Sequence, residues 1–162
     1  MNRTKWSWGL FIIGLMSVLS LGRPAVLPAS EERLSTGQLV YVSVYSHVYY
    51  GDYEKRLLLT GILSIRNTDP AHEITITRAD YYDSDGKLLR KYLSKPITLK
   101  PMASTRLIVK ESDTCGGSGA NFLVQWQAKT EVNEPIMEGV MIGTAGQQGI
   151  SFISRGRPIK PK

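Results

Sequence analysis

Side chains able to do chemistry are few in this chain of 162 residues, and they gather at three places. The stretch Glu111-Ser-Asp-Thr-Cys-Gly-Gly-Ser-Gly-Ala-Asn-Phe122 holds the only cysteine, Cys115, together with Asp113, Ser118 and Asn121. The stretch Tyr45-Ser-His-Val-Tyr-Tyr-Gly-Asp-Tyr53 sets His47, one of two histidines, among tyrosines that include Tyr49 and Tyr50. Gly143-Thr-Ala-Gly-Gln-Gln-Gly149 offers the amides of Gln147 and Gln148.

Acyl transfer needs a serine or cysteine nucleophile next to a base. Ser118 and Cys115 are the candidates. Gly116-Gly-Ser-Gly-Ala120 lacks the glycine–any–serine–any–glycine spacing of a nucleophile elbow, and no strand-to-helix turn surrounds it. Cys115 has Glu111 and Asp113 nearby and no adjacent basic residue to stabilise a thiolate. A glycine-rich loop can cradle an anion on successive backbone N–H groups, but the lysine and following helix of a phosphate loop are missing. The loop therefore reads as a connection between strands, with Asp113, Ser118 and Asn121 facing local backbone or a partner. A small-molecule or hydrolytic site over residues 112–121 is the alternative.

Metal chemistry fares no better. A structural zinc site needs about four ligands, and the chain offers Cys115 with two scattered histidines, His47 and His72. Asp83-Ser-Asp-Gly86 resembles the start of a calcium loop, yet Ser94 stands where the bidentate glutamate belongs, so a hairpin turn is the better reading. No catalytic set, metal or cofactor is expected. Around His47 the functional reading is an aromatic binding surface, since tyrosine presents a large ring and a polar tip. The plainer reading is an edge strand whose tyrosines cover one end of the fold. Gln147 and Gln148 add amide donors and acceptors to the binding candidates.

The elements that must hold these groups read as β throughout. Val40, Val42 and Val44 alternate with Tyr41, Ser43 and Tyr45. Leu57, Leu59, Leu63 and Ile65 share a face opposite Thr60, Ser64 and Arg66, until Asn67-Thr-Asp-Pro70 stops the run. Ile74–Tyr82 turns at Asp83-Ser-Asp-Gly86 into Lys87–Tyr92, a hairpin set by Asp-Gly. Ile97-Thr-Leu99 lies between Pro96 and Pro101. Ser104–Lys110 puts Thr105, Leu107 and Val109 on one side, and Phe122, Val124, Trp126 and Ala128 do the same in the next run. Ile136–Ile142 and Ile150–Ser154 complete the set. No sustained 3.6-residue period appears between residues 38 and 157. About eight or nine short strands with turn signals between them imply a sandwich or barrel. The proline-broken crossing Ile97–Val109 favours strands that switch sheets, hence a single antiparallel β-sandwich of immunoglobulin-like architecture. The cysteine and tryptophan spacing of true immunoglobulin domains is absent.

The first 29 residues stand apart. Arg3 and Lys5 precede an apolar run, Trp6–Leu21, that Gly22-Arg-Pro24 ends. A basic head, a short apolar core and a small-residue exit make an export signal. The run is short against the roughly 20 apolar residues of a full span, so a retained membrane anchor is the second reading. Ser20-Leu-Gly22 and Leu27-Pro-Ala29 are the candidate cleavage sites, and no cysteine follows the run to take a lipid. Residues 30–37 read as a linker, 38–157 as the sandwich and 158–162 as a flexible basic tail. The chain carries 20 Lys+Arg against 14 Asp+Glu, a net of +6. Without residues 1–29 the balance is 17 against 14, a net of +3, too small and too scattered for a nucleic-acid partner. A lone cysteine makes no internal disulfide, so the core must hold by packing.

Several whole phrases then stand out together: Tyr45-Ser-His-Val-Tyr-Tyr-Gly51, Leu63-Ser-Ile-Arg-Asn-Thr-Asp-Pro70, Ser118-Gly-Ala-Asn-Phe122, Val140-Met-Ile-Gly-Thr144 and Gln148-Gly-Ile-Ser-Phe152. In these the sequence resembles the bacterial family catalogued as domain of unknown function 3124, over roughly residues 38–157. The resemblance implies a bacterial, exported, one-domain protein and supplies no reaction, ligand or partner. The expectation is an exported domain, periplasmic or secreted, that binds a protein or envelope polymer without catalysis and meets membrane only through its N-terminal segment. A purely structural envelope domain is the remaining alternative.

Overall fold

The computed structural model describes residues 34–145 and 149–160. The expected export signal, Gln147 and Gln148 lie outside the described residues. Twelve strands and no helix are found among the described residues. In chain order they are β1 Leu34–Ser43, β2 His47–Tyr50, β3 Lys55–Leu58, β4 Thr60–Arg66, β5 Ile74–Tyr82 and β6 Leu88–Lys91. The remaining six are β7 Ile97–Leu99, β8 Ser104–Val109, β9 Asn121–Asn133, β10 Ile136–Gly143, β11 Ile150–Arg155 and β12 Arg157–Ile159.

All pairings are antiparallel. A six-stranded sheet runs β12-β1-β9-β5-β6, with β7 also on β5; a four-stranded sheet runs β11-β10-β4-β8; β2 and β3 form a separate ribbon. Neither main sheet closes on itself. Alternation supplies the reason. In β9 Phe122, Val124 and Trp126 are buried while Gln125 and Gln127 are exposed. In β4 Leu63 and Ile65 are buried while Arg66 is exposed. The apolar faces of the two sheets contribute to one core, in which Trp126, Tyr81 and Phe122 are the largest fully buried side chains.

The expected sheet-switching crossing is present. β7 pairs with β5 of the six-stranded sheet and β8 with β4 of the four-stranded sheet. Pro101 and Met102 make the turn between them, with the Ala103 N–H donating to the Lys100 carbonyl at 3.0 Å. The hairpin at Asp83–Gly86 also forms as its sequence implies. Gly86 takes φ 80°, and Asp83 Oδ1 accepts the Asp85 and Lys87 N–H groups at 3.0 and 2.8 Å. The carboxylate that resembled a calcium ligand caps a turn.

Three features depart from the sequence reading. First, β1 begins at Leu34, inside the stretch read as linker, because β9 extends to Asn133 and pairs it. Second, Pro158 and Ile159 leave the expected free tail and pair with Val40 and Leu39. Without β12 that side of β1 would be an open edge, and proline is tolerated on an edge strand. Third, the run expected across Leu57–Arg66 breaks at Leu59, whose N–H donates to the Ser46 carbonyl at 3.0 Å. β3 thereby leaves the four-stranded sheet and pairs with β2.

β5 carries an irregularity that decides which side chains share a face. Ile76 pairs with Trp126 and Arg78 with Gln125, so Thr77 is an extra residue, a β-bulge. The bulge shifts the inward positions from Ile74 and Ile76 to Ala79 and Tyr81. It thereby places Arg78, Asp80 and Tyr82 together on the outer face.

Candidate functional site

The glycine-rich loop after Val109 joins β8 of one sheet to β9 of the other and covers an end of the core. It is strapped down by two serines. Ser46 donates its N–H to the Gly117 carbonyl at 3.1 Å, and its Oγ accepts the Gly117 N–H at 2.8 Å. Ser84 donates its N–H to the Gly116 carbonyl at 3.0 Å, and its Oγ accepts the Gly119 N–H at 2.9 Å. The Val44 N–H donates to the Ala120 carbonyl at 3.0 Å. Gly116 lies against the Tyr81 hydroxyl so closely that a Cβ would overlap it, and Gly117 has φ +86°. Two of the N–H groups that an anion nest would present are spent on these serines. The glycines permit close approach and a left-handed backbone.

Within the loop Asp113 accepts the Cys115 N–H at 3.3 Å and pairs with Arg90 at 3.4 Å. Ser118 and Cys115 are exposed. His47 is buried; its Nδ1 lies 3.3 Å from Ser46 Oγ, and its Nε2 has no partner among the described residues. Burial holds the His47 pKa below its ordinary 6.5, and the Arg56 charge adds to the effect. His72 turns Nδ1 to Asp69 Oδ1 at 3.1 Å. Among the described residues no hydrogen bond joins either histidine to Ser118 or Cys115. The geometry that a serine or cysteine hydrolase needs is not assembled there. Asn121 opens β9 and pairs across to Ser43 and Tyr82, on the outer face of the six-stranded sheet.

The β2–β3 ribbon is the most exposed aromatic surface. Tyr49, Tyr50 and Tyr53 are 48%, 55% and 88% exposed. Tyr49 pairs with Arg56, whose guanidinium lies 6.0 Å from the tyrosine ring centre, and Tyr50 pairs with Lys55. The tip turns at Gly51, φ 68°, and Glu54, φ 49°, with the Glu54 N–H donating to the Gly51 carbonyl at 3.2 Å. The base is fixed: Ser46 and His47 are buried, and the His47 ring stands edge-on to Tyr49 at 5.1 Å. A rigid base with free tyrosines beyond it is a geometry suited to partner contact, because the rings bring area at low entropic cost.

Two polar arrangements were not read as sites from sequence. Asn67 and Asp69, both buried, knit β4 to distant backbone. Asn67 Nδ2 donates to the carbonyls of His72 at 2.8 Å and Lys100 at 3.0 Å. Asp69 accepts the N–H groups of Ala71, His72 and Asn133 at 2.9, 2.8 and 3.1 Å. These bonds, led by that from Ala71, hold the Asp69 carboxyl down at about 2. The network is structural, and its partners lie too far along the chain for spacing to announce them. The second is Arg78, Asp80 and Tyr82, whose alternate positions in one strand were the available signal. Among the described residues no group of three His, Cys, Asp or Glu side chains could hold a metal ion.

Comparisons with other proteins place the domain without supplying an activity. The family described as protein of unknown function (DUF3124) matches residues 37–159. No curated protein matches the sequence. A solved structure, the crystal structure of Thermotoga maritima 1070, is similar over 74% of this chain and 92% of its own, at 13% identity and a TM-score of 0.45.

Proposed function

Because the chain belongs to the DUF3124 family, whose proteins are of unknown function, we propose from its own surfaces that it is an exported bacterial envelope domain that binds a protein partner without catalysis. The observation that carries this reading is the β2–β3 ribbon, with Tyr50 and Tyr53 largely exposed and Tyr49 about half exposed above a buried Ser46–His47 base. Exposed rings on a held scaffold meet a partner without losing much freedom. Among the described residues no histidine is hydrogen-bonded to Ser118 or Cys115, so a hydrolytic reading has no geometric support there. Export rests on the basic head and apolar run of residues 1–29. Two open antiparallel sheets on one core, with a crossing between them at Pro101, support the immunoglobulin-like arrangement. The test is retention of a partner from bacterial envelope extract by the full chain. Replacing Tyr49, Tyr50 and Tyr53 together by serine is expected to abolish it, and undiminished retention by that variant contradicts the reading.

A further inference from the structure

The outer face of the six-stranded sheet carries a second surface of different chemistry. Arg78 is held by two hydrogen bonds: its Nε donates to Asp80 Oδ2 and its Nη2 to the Tyr82 hydroxyl, both at 2.6 Å. The Asp80 side chain is only 7% exposed, whereas that of Arg78 is 39% exposed. The carboxylate therefore works as a fixed support beneath the guanidinium. One side of the fork is occupied, and the remaining N–H groups of Nη1 and Nη2 are available to an acceptor. The Thr77 bulge is what brings these three side chains to one face.

The surroundings select the acceptor. Arg78 lines a depression of about 550 Å³ with Lys91, Gln125, Tyr82 and Leu88. Lys91 sits directly across from Asp80, so two cations border one carboxylate that is already engaged. A planar, locked guanidinium matches a carboxylate better than a point charge does. Beside the depression the same outer face carries a row of paired positions across five strands, Arg157–Tyr41–Leu123–Asp80–Lys91, with a cation at each end. At ~4.8 Å between strands that row is about 19 Å long. The Gln125 amide and the Tyr82 and Tyr41 hydroxyls suit sugar hydroxyls, and the two rings with Leu88 suit the C–H faces of sugars. An open, elongated surface with one locked arginine suits a chain more than a small enclosed molecule.

We propose that this face binds an acidic polysaccharide, with Arg78 receiving a sugar carboxylate and Asp80 and Tyr82 holding Arg78 in place. The experiment is calorimetric titration of the full chain, in an uncharged polyoxyethylene detergent, with a short oligogalacturonate. The methyl ester of the same sugar chain and inorganic phosphate form the other arms. Saturable binding of oligogalacturonate is expected, weakening as salt rises. The ester and free phosphate should bind at least ~10-fold more weakly. Arg78→Ala and Arg78→Lys should each lose ~10-fold or more, the lysine variant guarding against a folding defect in the alanine one. Arg106→Ala, on the other sheet, should change nothing. Asp80→Asn is the sharpest arm. It makes the face more positive, so unspecific attraction would tighten, whereas loss of the support should weaken binding several-fold. No saturable binding, tighter binding by Asp80→Asn, or phosphate binding as strong as the oligosaccharide each overturns the proposal.

Discussion

The Tyr81 hydroxyl donates to the Val44 carbonyl at 3.1 Å, tying β5 to the segment that leaves β1. Both residues are buried, and the same hydroxyl lies against Gly116. One phenol thus fixes the end of the core, the start of the tyrosine ribbon and the seat of the glycine-rich loop. Tyr81→Phe leaves a buried carbonyl without its donor and is expected to cost about 1–3 kcal/mol in urea unfolding. Gly116→Ala should cost about 1–3 kcal/mol by overpacking against Tyr81 and Ala120, and a neutral result for both would mean that the clasp contributes nothing.

Trp126 sits at the centre of β9, 1% exposed, with an indole N–H that has no partner among the described residues. Trp126→Ala should cost about 3–5 kcal/mol, as large-to-small aromatic changes in a core do. Trp126→Phe should cost clearly less, because no hydrogen bond is lost with the indole. Equal losses from the two would mean that the N–H matters in a way the packing does not show.

Stability should fall in acid over two windows. The unfolded chain takes a proton at His47 as pH drops below 6.5, while burial makes the folded chain resist it, so stability declines from there. Asp69 has an ordinary value of 3.8 and a folded value of about 2, so its contribution is whole above 3.8 and is lost as pH falls through about 2. Chemical denaturation across pH should therefore show two acid limbs. His47→Gln should remove the upper limb and Asp69→Asn the lower. A profile in which His47→Gln leaves the region below 6.5 unchanged contradicts the assignment.

The legible parts of the fold were those in which one strand's own pattern decides the outcome. Val40, Val42 and Val44, the Asp83–Gly86 turn and the Phe122–Trp126 run all behave as their alternation and turn chemistry require. What was missed depends on distant partners. Nothing local in Leu34–Gly37 or Pro158–Ile159 says that β9 and β1 will pair them. The Thr77 bulge hides in a run that looks regular, and only the change of parity from Ile76 to Ala79 betrays it. Of the residues singled out for binding, His47, Tyr49 and Tyr50 meet on one ribbon, while Asp113 and Ser118 stay on the loop and Asn121 lies on the outer sheet face. The loop drew notice for its glycines, and those glycines answer to Ser46, Ser84 and Tyr81, contacts made across 32 to 71 residues of sequence.

The glycine-rich loop offers a control for function. Ser118→Ala and Cys115→Ser alter exposed side chains with no hydrogen bond among the described residues, so each should leave stability within about 0.5 kcal/mol and partner retention unchanged. Loss of retention in either, with the thermal midpoint preserved, would move the binding surface from the ribbon to the loop.

The central claim is that the Tyr49–Tyr50–Tyr53 ribbon is the binding surface. Once a partner has been retained and purified, its affinity for the full chain can be compared by calorimetry with that of Tyr49→Ala, Tyr50→Ala and Tyr53→Ala. The expected result is a loss of about 1–3 kcal/mol, roughly 5- to 150-fold, for at least one tyrosine, with the thermal midpoint of unfolding unchanged. Affinity within twofold of wild type for all three variants would contradict it.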